Sequence, residues 1–428
     1  MLISMKVMQV PMFLPTMDVP AKHRRDYRLI MAASVLYGLV DGLLYITMAL
    51  YVNKESGSLP MVGFISSLPF LAVFVMSFVW GAVADKLGSY KWVMIFGNVV
   101  TGVLFFPMPY LDVYGLFGLR AVQVFFYSVN VLGVAVMTEL LPESKGEGAA
   151  AVSLMTSVGW LVGGIVSGAI YYYVGMSLLF PLCGIMSFMM AGILLSFRGS
   201  VKAPAPMTAG KMFVFKNGRA IGLILAIIGL TYLANRCVFT VFPIYLEEWH
   251  DLTAVTIGLL SSTAGIVGAI VVVAIGKYVD RAGRRPMFIF AVFSYMFIWT
   301  VLLFTDNLFV VVILWAVPSW SFMTISATAM VSDLTSPSER GRGIGSLNSA
   351  LNLGQFVGAG LSGLIAGWFN PSVPDALAVH EFKGIWLFTV IFLLIPMGLA
   401  FKVRETLKKR PKGESGPSRG DERAIEEE

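Results

Sequence analysis

The sequence predicts an all-α polytopic membrane protein with twelve transmembrane helices in two parallel six-helix repeats. Three observations carry this prediction. Apolar runs of about twenty residues recur along nearly the whole chain, each long enough to cross a hydrocarbon core roughly 30 Å thick as helix. Lys and Arg collect in alternate loops. Sliding the chain against itself by 195 positions brings unusual residues onto their own kind. Composition agrees: 57% of the 428 residues are hydrophobic and 13% charged, about half the charged share of soluble domains. The alternation of membrane strands is missing, which argues against a β-barrel.

Taken in order, the apolar runs place helices 1 to 12 at 29–52, 60–84, 91–111, 113–138, 148–174, 176–197, 220–246, 254–279, 286–305, 308–332, 343–369 and 384–401. The chain then divides into a segment 1–28, a six-helix bundle 29–197, a linker 198–219, a second bundle 220–403 and a tail 404–428. Lys6, Lys22, Arg24, Arg25 and Arg28 precede helix 1, and alternate loops and the tail hold all the other Lys and Arg except Lys54, Arg120, Arg236 and Lys383. That bias puts both termini in the cytoplasm, and the cell membrane is the expected location. The first twenty residues, with Pro11, Pro15 and Pro20, lack the pattern of a cleaved signal peptide. The stretch from Lys408 to Glu428 reads as a disordered tail.

Several function classes drop out on the same grounds. The net charge of +6 sits in short loops between spans, where topology and anionic lipid account for it, so no nucleic-acid partner is expected. Cys183 and Cys237 fall inside helices and offer no metal-ligand spacing; His23, His250 and His380 lie outside the predicted spans. No nucleophile and base pair, metal cluster or nucleotide loop appears, so neither an enzyme nor a bound cofactor is expected.

The 195-residue repeat joins the halves position by position. Tyr37 meets Tyr232, Gly63 meets Gly258, Asp85 meets Asp280, and Gly159, Gly163 and Gly168 meet Gly354, Gly358 and Gly363. Six helices are followed by six related helices in the same orientation, an architecture of rocking transporters. The loops after helices 2 and 8 carry Gly81-Ala-Val-Ala-Asp85-Lys-Leu-Gly88 and Gly276-Lys-Tyr-Val-Asp280-Arg281-Ala-Gly283-Arg284-Arg285. A tight turn obeying the positive-inside rule would account for one such loop. Two copies at one offset resemble the paired loop motif of the major facilitator superfamily, and the chain from about 29 to 401 resembles its drug/proton antiporter-like branch. The first copy departs from the motif, with Lys86, Ser89 and Lys91 where the family has a denser basic cluster. The resemblance implies the major facilitator fold, a small-molecule substrate moved by alternating access, and loops that gate it.

Ionisable groups inside spans are costly, about 2.5–3.5 kcal/mol each on insertion scales, and mark function by default. Asp41 and Arg236 are such groups, and they occupy equivalent repeat positions. Helix 1 shows Tyr37, Asp41 and Tyr45 at helical spacing, and helix 7 shows Tyr232, Arg236 and Thr240. In the resembling family, helices 1, 4, 7 and 10 line the central cavity, so the two stripes are expected to face each other there. Asp41 is the candidate proton-coupling carboxylate, with Arg236 and Arg120 as the charges that bias it. A permanent Asp41–Arg236 ion pair that only fixes packing is one alternative, and an anion-binding role for Arg236 is another.

Helix 4 aligns Arg120, Gln123, Tyr127 and Asn130 on one face. Arg120 and Gln123 resemble the family's Arg-x-x-Gln element, with Val124 where the family has Gly; snorkelling of Arg120 to the outer surface is the plainer account. Helix 10 presents Trp315, Ser319, Phe322 and Ser326, read first as packing, and helix 11 presents Asn348, Asn352 and Gln355, amides costly enough to bury that they should face a cavity or partner helix. The helix 5 run Gly159-Trp-Leu-Val-Gly163-Gly164-Ile-Val-Ser167-Gly168 resembles the superfamily's antiporter motif with Gly164 in place of its proline. Close helix packing explains it equally. The functional expectation is proton-coupled export of an amphipathic compound by a monomer, with another coupling ion possible in place of protons. Uptake of a sugar or organic anion is the alternative, and a sensor or scaffold that moves nothing is the reading of another class.

Overall fold

The computed structural model describes residues 23–141, 145–198, 215–336, 339–369 and 378–406. The N-terminal segment, most of the linker and the charged tail lie outside them. Among the described residues twelve long helices follow one another: α1 Arg24–Ser56, α2 Leu59–Leu87, α3 Tyr90–Phe105, α4 Val113–Leu140, α5 Lys145–Val174, α6 Met176–Leu195, α7 Gly218–His250, α8 Ala254–Ala282, α9 Arg284–Phe304, α10 Leu308–Leu334, α11 Arg340–Phe369 and α12 Ala378–Ala400. Eleven are long and apolar enough to cross a membrane; α8 contributes a shorter described apolar stretch, Ala254–Gly268. Among the described residues there is no strand.

Most helices overrun the apolar runs by several residues. A helix goes on bonding its polar end turns until cap geometry stops it, and hydropathy does not see those turns. Gly57 ends α1 at φ 58 and Gly88 ends α2 at φ 63. Side-chain caps open the next helices: the Asp112 carboxylate accepts from Gly115 N–H at 3.0 Å and the Asn307 side chain from Phe309 N–H at 2.9 Å. His250, expected beyond helix 7, is the last residue of α7.

Two spans are interrupted near their middles. In α4 a 3-10 turn over Ser128–Val131 separates Val113–Tyr127 from Leu132–Leu140. Asn98 on α3 and Asn130 in that turn exchange amide hydrogen bonds at 3.0 Å in both directions, fully inside the half. In α10 Pro318, which has no N–H, stands between Leu308–Trp315 and Ser319–Leu334.

Packing repeats with the sequence. In the first half α1 lies along α5 and α3 along α6; in the second α7 lies along α11 and α9 along α12. Glycines permit the closest approaches. A Cβ on Gly159 or Gly163 would fall on the Val35 and Leu39 carbonyls of α1, and one on Gly354 or Gly358 would fall on the Gly229 and Leu233 carbonyls of α7. Between the halves, α2 packs on α11 and α5 on α8.

Call the side where α1 begins and α12 ends the near face, and the opposite side the far face. Among the described residues the closest backbone contacts between the halves, made at glycines, lie toward the far face. A Cβ on Gly63 would lie 2.7 Å from the Ala359 carbonyl oxygen, and one on Gly258 would lie 2.8 Å from that of Gly164. Gly363 packs on the Leu59 carbonyl and Gly168 on that of Ala254. At the ends of α1 and α7 the Asn53 side chain donates to Glu248 at 2.7 Å, two positions 195 residues apart. One apolar cluster runs through both halves, whereas a second, around Trp80, Val93 and Met137, belongs to the near-face end of the first half alone.

Candidate functional site

Between the halves, from the helix middles toward the near face, lies a cavity of about 560 Å³. Its walls come from α1 (Tyr45), α5 (Trp160), α7 (Tyr232, Asn235, Arg236, Phe239), α8 (Ser261), α10 (Trp315, Trp320) and α11 (Gln355). Ser153 and Ser157, on the α5 wall nearer the near face, are exposed. The close contacts between the halves lie beyond this cavity on the far-face side.

Arg236 is the charged residue of this wall. Its guanidinium carbon sits 4.3 Å from the Phe70 ring centre and 5.0 Å from that of Tyr45, and Nη1 donates to the Tyr45 hydroxyl at 3.3 Å. Nε is buried without a partner. Aromatic rings line the rest: Tyr45 meets Trp160 edge-on at 5.3 Å, and Trp315 stacks parallel on Phe242 at 4.3 Å. Trp315 therefore packs and lines the cavity together, and its indole Nε1 is buried without a partner.

Asp41, partly exposed, is not among the residues of this wall; it lies near a buried polar cluster of the first half that α1 and α4 build. Arg120, 5% exposed, donates to Gln123 Oε1, and both side chains point inside the half rather than to a surface. The Tyr127 hydroxyl donates to the Tyr37 carbonyl at 2.7 Å, with the two rings 5.0 Å apart. The charges of Arg120 and Arg236 both act on Asp41. Among the described residues no ion pair joins Asp41 to Arg236, whose close partners are the two rings and a hydroxyl.

Of the residues singled out in the sequence, Tyr45, Tyr232, Arg236, Trp315 and Gln355 meet at the main cavity. Tyr37 and Asn130 line a smaller one, about 280 Å³, between α1, α3, α4 and α5. Thr240 bonds its own helix at the Arg236 carbonyl, 2.8 Å away, and is buried. Asn352 donates back to the Asn348 carbonyl at 2.8 Å, and Asn348 is exposed. The sequence does not mark Trp320, Phe70 or Phe239, because an aromatic at helical spacing looks the same whether it meets a neighbour or a cavity. Trp160 did carry a signal: it sits between the close-packing glycines of α5, where the helix must lie against α1.

The loop motifs stand at the near face. Gly81 and Gly276 have open space around them, Gly88 closes α2, and Asp85 is partly exposed. The side chain of Asp280 falls outside the described atoms. Arg281 is exposed. Gly283, at φ 105, turns the chain from α8 into α9. Arg284 pairs with Asp333 at the end of α10 and donates to the Ala329 carbonyl at 3.0 Å; Arg285 donates to the Phe401 carbonyl at 2.9 Å. Glu405 accepts from the backbone N–H groups of both arginines, at 3.2 and 3.1 Å. In this conformation the second loop is thus tied within its own half.

Twelve helices in two parallel repeats, with a cavity between the halves, define a multi-pass membrane protein with the architecture that rocking transporters use. The model of the Major Facilitator Superfamily matches residues 30–215 and 224–425, and the chain belongs to that family. It is similar to Multidrug resistance protein 2 of Bacillus subtilis (strain 168), 30% identical over 151 residues, 34% of this chain and 37% of that protein. It is also similar to Solute carrier family 22 member 18 of Mus musculus, 29% identical over 164 residues, 37% of this chain and 40% of that protein. The matched stretch thus spans about two fifths of those relatives. Among solved structures the fold is shared with the nucleoside transporter NupG (TM-score 0.70, 14% identity, 90% of this chain and 100% of that one). It is shared too with a D-xylose-proton symporter (TM-score 0.66, 13% identity, 86% and 96%).

Proposed function

We propose that this transporter exports an amphipathic small molecule by alternating access, driven by protons that load and leave Asp41. The observation that carries the reading is the cavity itself: about 560 Å³, walled by aromatic rings, with the closest contacts between the halves on its far-face side and one cation in its wall. A sugar would need several hydrogen-bonding groups on the wall to replace its hydration. Here rings dominate, which favours a flat apolar body over a polyol. The Bacillus subtilis relatives matched over part of their length are named Multidrug resistance proteins 1 and 2, which supports a drug-like cargo.

The near face is cytoplasmic by the loop charges, so the present conformation takes its substrate from inside. Asp41 supplies the coupling. Loss of its charge leaves Arg120 and Arg236 unopposed, and rearrangement of the halves changes its distance from Arg236, so protonation and rocking are linked through one carboxylate. The loops after α2 and α8 gate the near face when the halves close there. The test is flux in proteoliposomes with an imposed pH gradient and a fluorescent amphiphile. Uptake into the vesicles that collapses with a protonophore supports the reading. Ligand binding with no flux in either direction would leave a sensor.

A further inference from the structure

Two guanidinium groups and one carboxylate stand in the middle of the spans: Arg120, Arg236 and Asp41. Even with Asp41 ionised, the described intramembrane groups sum to one positive charge. Arg120 is buried in the first half, near Asp41 and away from the cavity wall, so the cation presented to the cavity is Arg236. The unpartnered buried polar atoms on this cavity wall are donors: Nε of Arg236 and Nε1 of Trp315. Neither group has an acceptor lone pair. A buried donor without a partner is costly, and a buried cation more so, until something supplies an acceptor.

Resting on the transporter reading above, we infer that the substrate is an aromatic organic anion, a carboxylate on a flat apolar body. The carboxylate meets the guanidinium fork of Arg236 and the ring system lies among Tyr45, Trp160, Trp315 and Trp320. Three features agree on this chemistry. The charge of the cluster repels a cation. The two free donors match a carboxylate, which only accepts. The wall beyond Arg236 is aromatic, suiting a planar body and offering little to a polyol.

The test uses purified full-length protein and calorimetric titration with three probes sharing one body: naphthylacetate, its neutral amide, and naphthylethylamine, a cation at pH 7. The acid should bind about ten-fold or more tighter than the amide, the scale of a hydrogen bond to a charged group, and the amine should bind weakest. Arg236→Gln should bring acid and amide together while amide binding persists, which shows the variant folded. Arg236→Lys should recover part of the preference, because it keeps the charge and loses the fork. Asp41→Asn should tighten the acid and weaken the amine further. A preference for the amine, no measurable acid binding at millimolar concentration, or an acid preference unchanged in Arg236→Gln overturns the inference. Flux separates it from the reading it rests on: pH-driven transport of the amine leaves an exporter without an anion site, and acid binding without flux leaves an anion site without an exporter.

Discussion

Asp41 carries a carboxylate near two cations, Arg120 bonded to Gln123 in its own half and Arg236 held against two aromatic rings in the cavity wall. Among the described residues no ion pair to Arg236 fixes Asp41, which the proposed coupling role requires and a packing role does not. Asp41→Asn should keep the melting temperature of the purified protein close to wild type and abolish flux driven by a pH gradient, while exchange of labelled for unlabelled substrate at equal pH continues. Retained pH-driven accumulation would remove Asp41 from the mechanism. The Asn98–Asn130 pair plays the opposite part, since both amides satisfy each other and hold the 3-10 turn of α4. Asn130→Leu should cost about 1 kcal/mol, in the usual range for hydrogen bonds between buried helices, read as a lower midpoint of denaturation in detergent.

At the scale of elements, glycine sets which helices touch. Gly358 lies where α11 meets the Leu233 carbonyl of α7, and no side chain fits there without moving a backbone. Gly358→Leu should cost about 3 kcal/mol or more, or prevent the folded protein from accumulating, as overpacking of a close contact does. Gly192 in α6 has open space around its Cα, so Gly192→Ala should be tolerated and stabilise by roughly 0.5–1 kcal/mol through helix propensity. A melting experiment on both variants checks the contrast. These contacts also explain the helix 5 run that resembles an antiporter motif. Gly159 and Gly163 serve packing within the half, and Gly168 serves packing on α8 across the halves. The sequence could show that small residues repeat there, but not which neighbour each one meets.

At the scale of the whole molecule, the two bundles approach each other most closely toward the far face. Asn53 and Glu248, joined at 2.7 Å, are pseudo-symmetric partners there. Alternating access requires this contact to open as the near face closes. Asn53→Cys with Glu248→Cys, joined by a short bis-maleimide, should stop flux, and a cleavable linker should restore it on reduction. The native Cys183 and Cys237 are buried and should stay unlabelled. Undiminished flux in the cross-linked protein would place the outer gate elsewhere.

The sequence by itself determined the twelve spans, the repeat of six, and which ionisable residues lie in the spans. Hydropathy, loop charge and periodicity are properties of neighbours along the chain or of a fixed offset, and they survive without coordinates. It also pointed to Arg236, because a cation amid an apolar run is conspicuous. Only the tertiary structure decided what that cation faces. Asp41, its repeat partner, belongs to a cluster with Arg120, Gln123 and Tyr127, while Arg236 looks into a chamber whose walls include Trp160 and Trp320. Those rings come from α5 and α10, and their meeting depends on how close the glycines of each helix let its neighbours approach, a distance no single helix encodes.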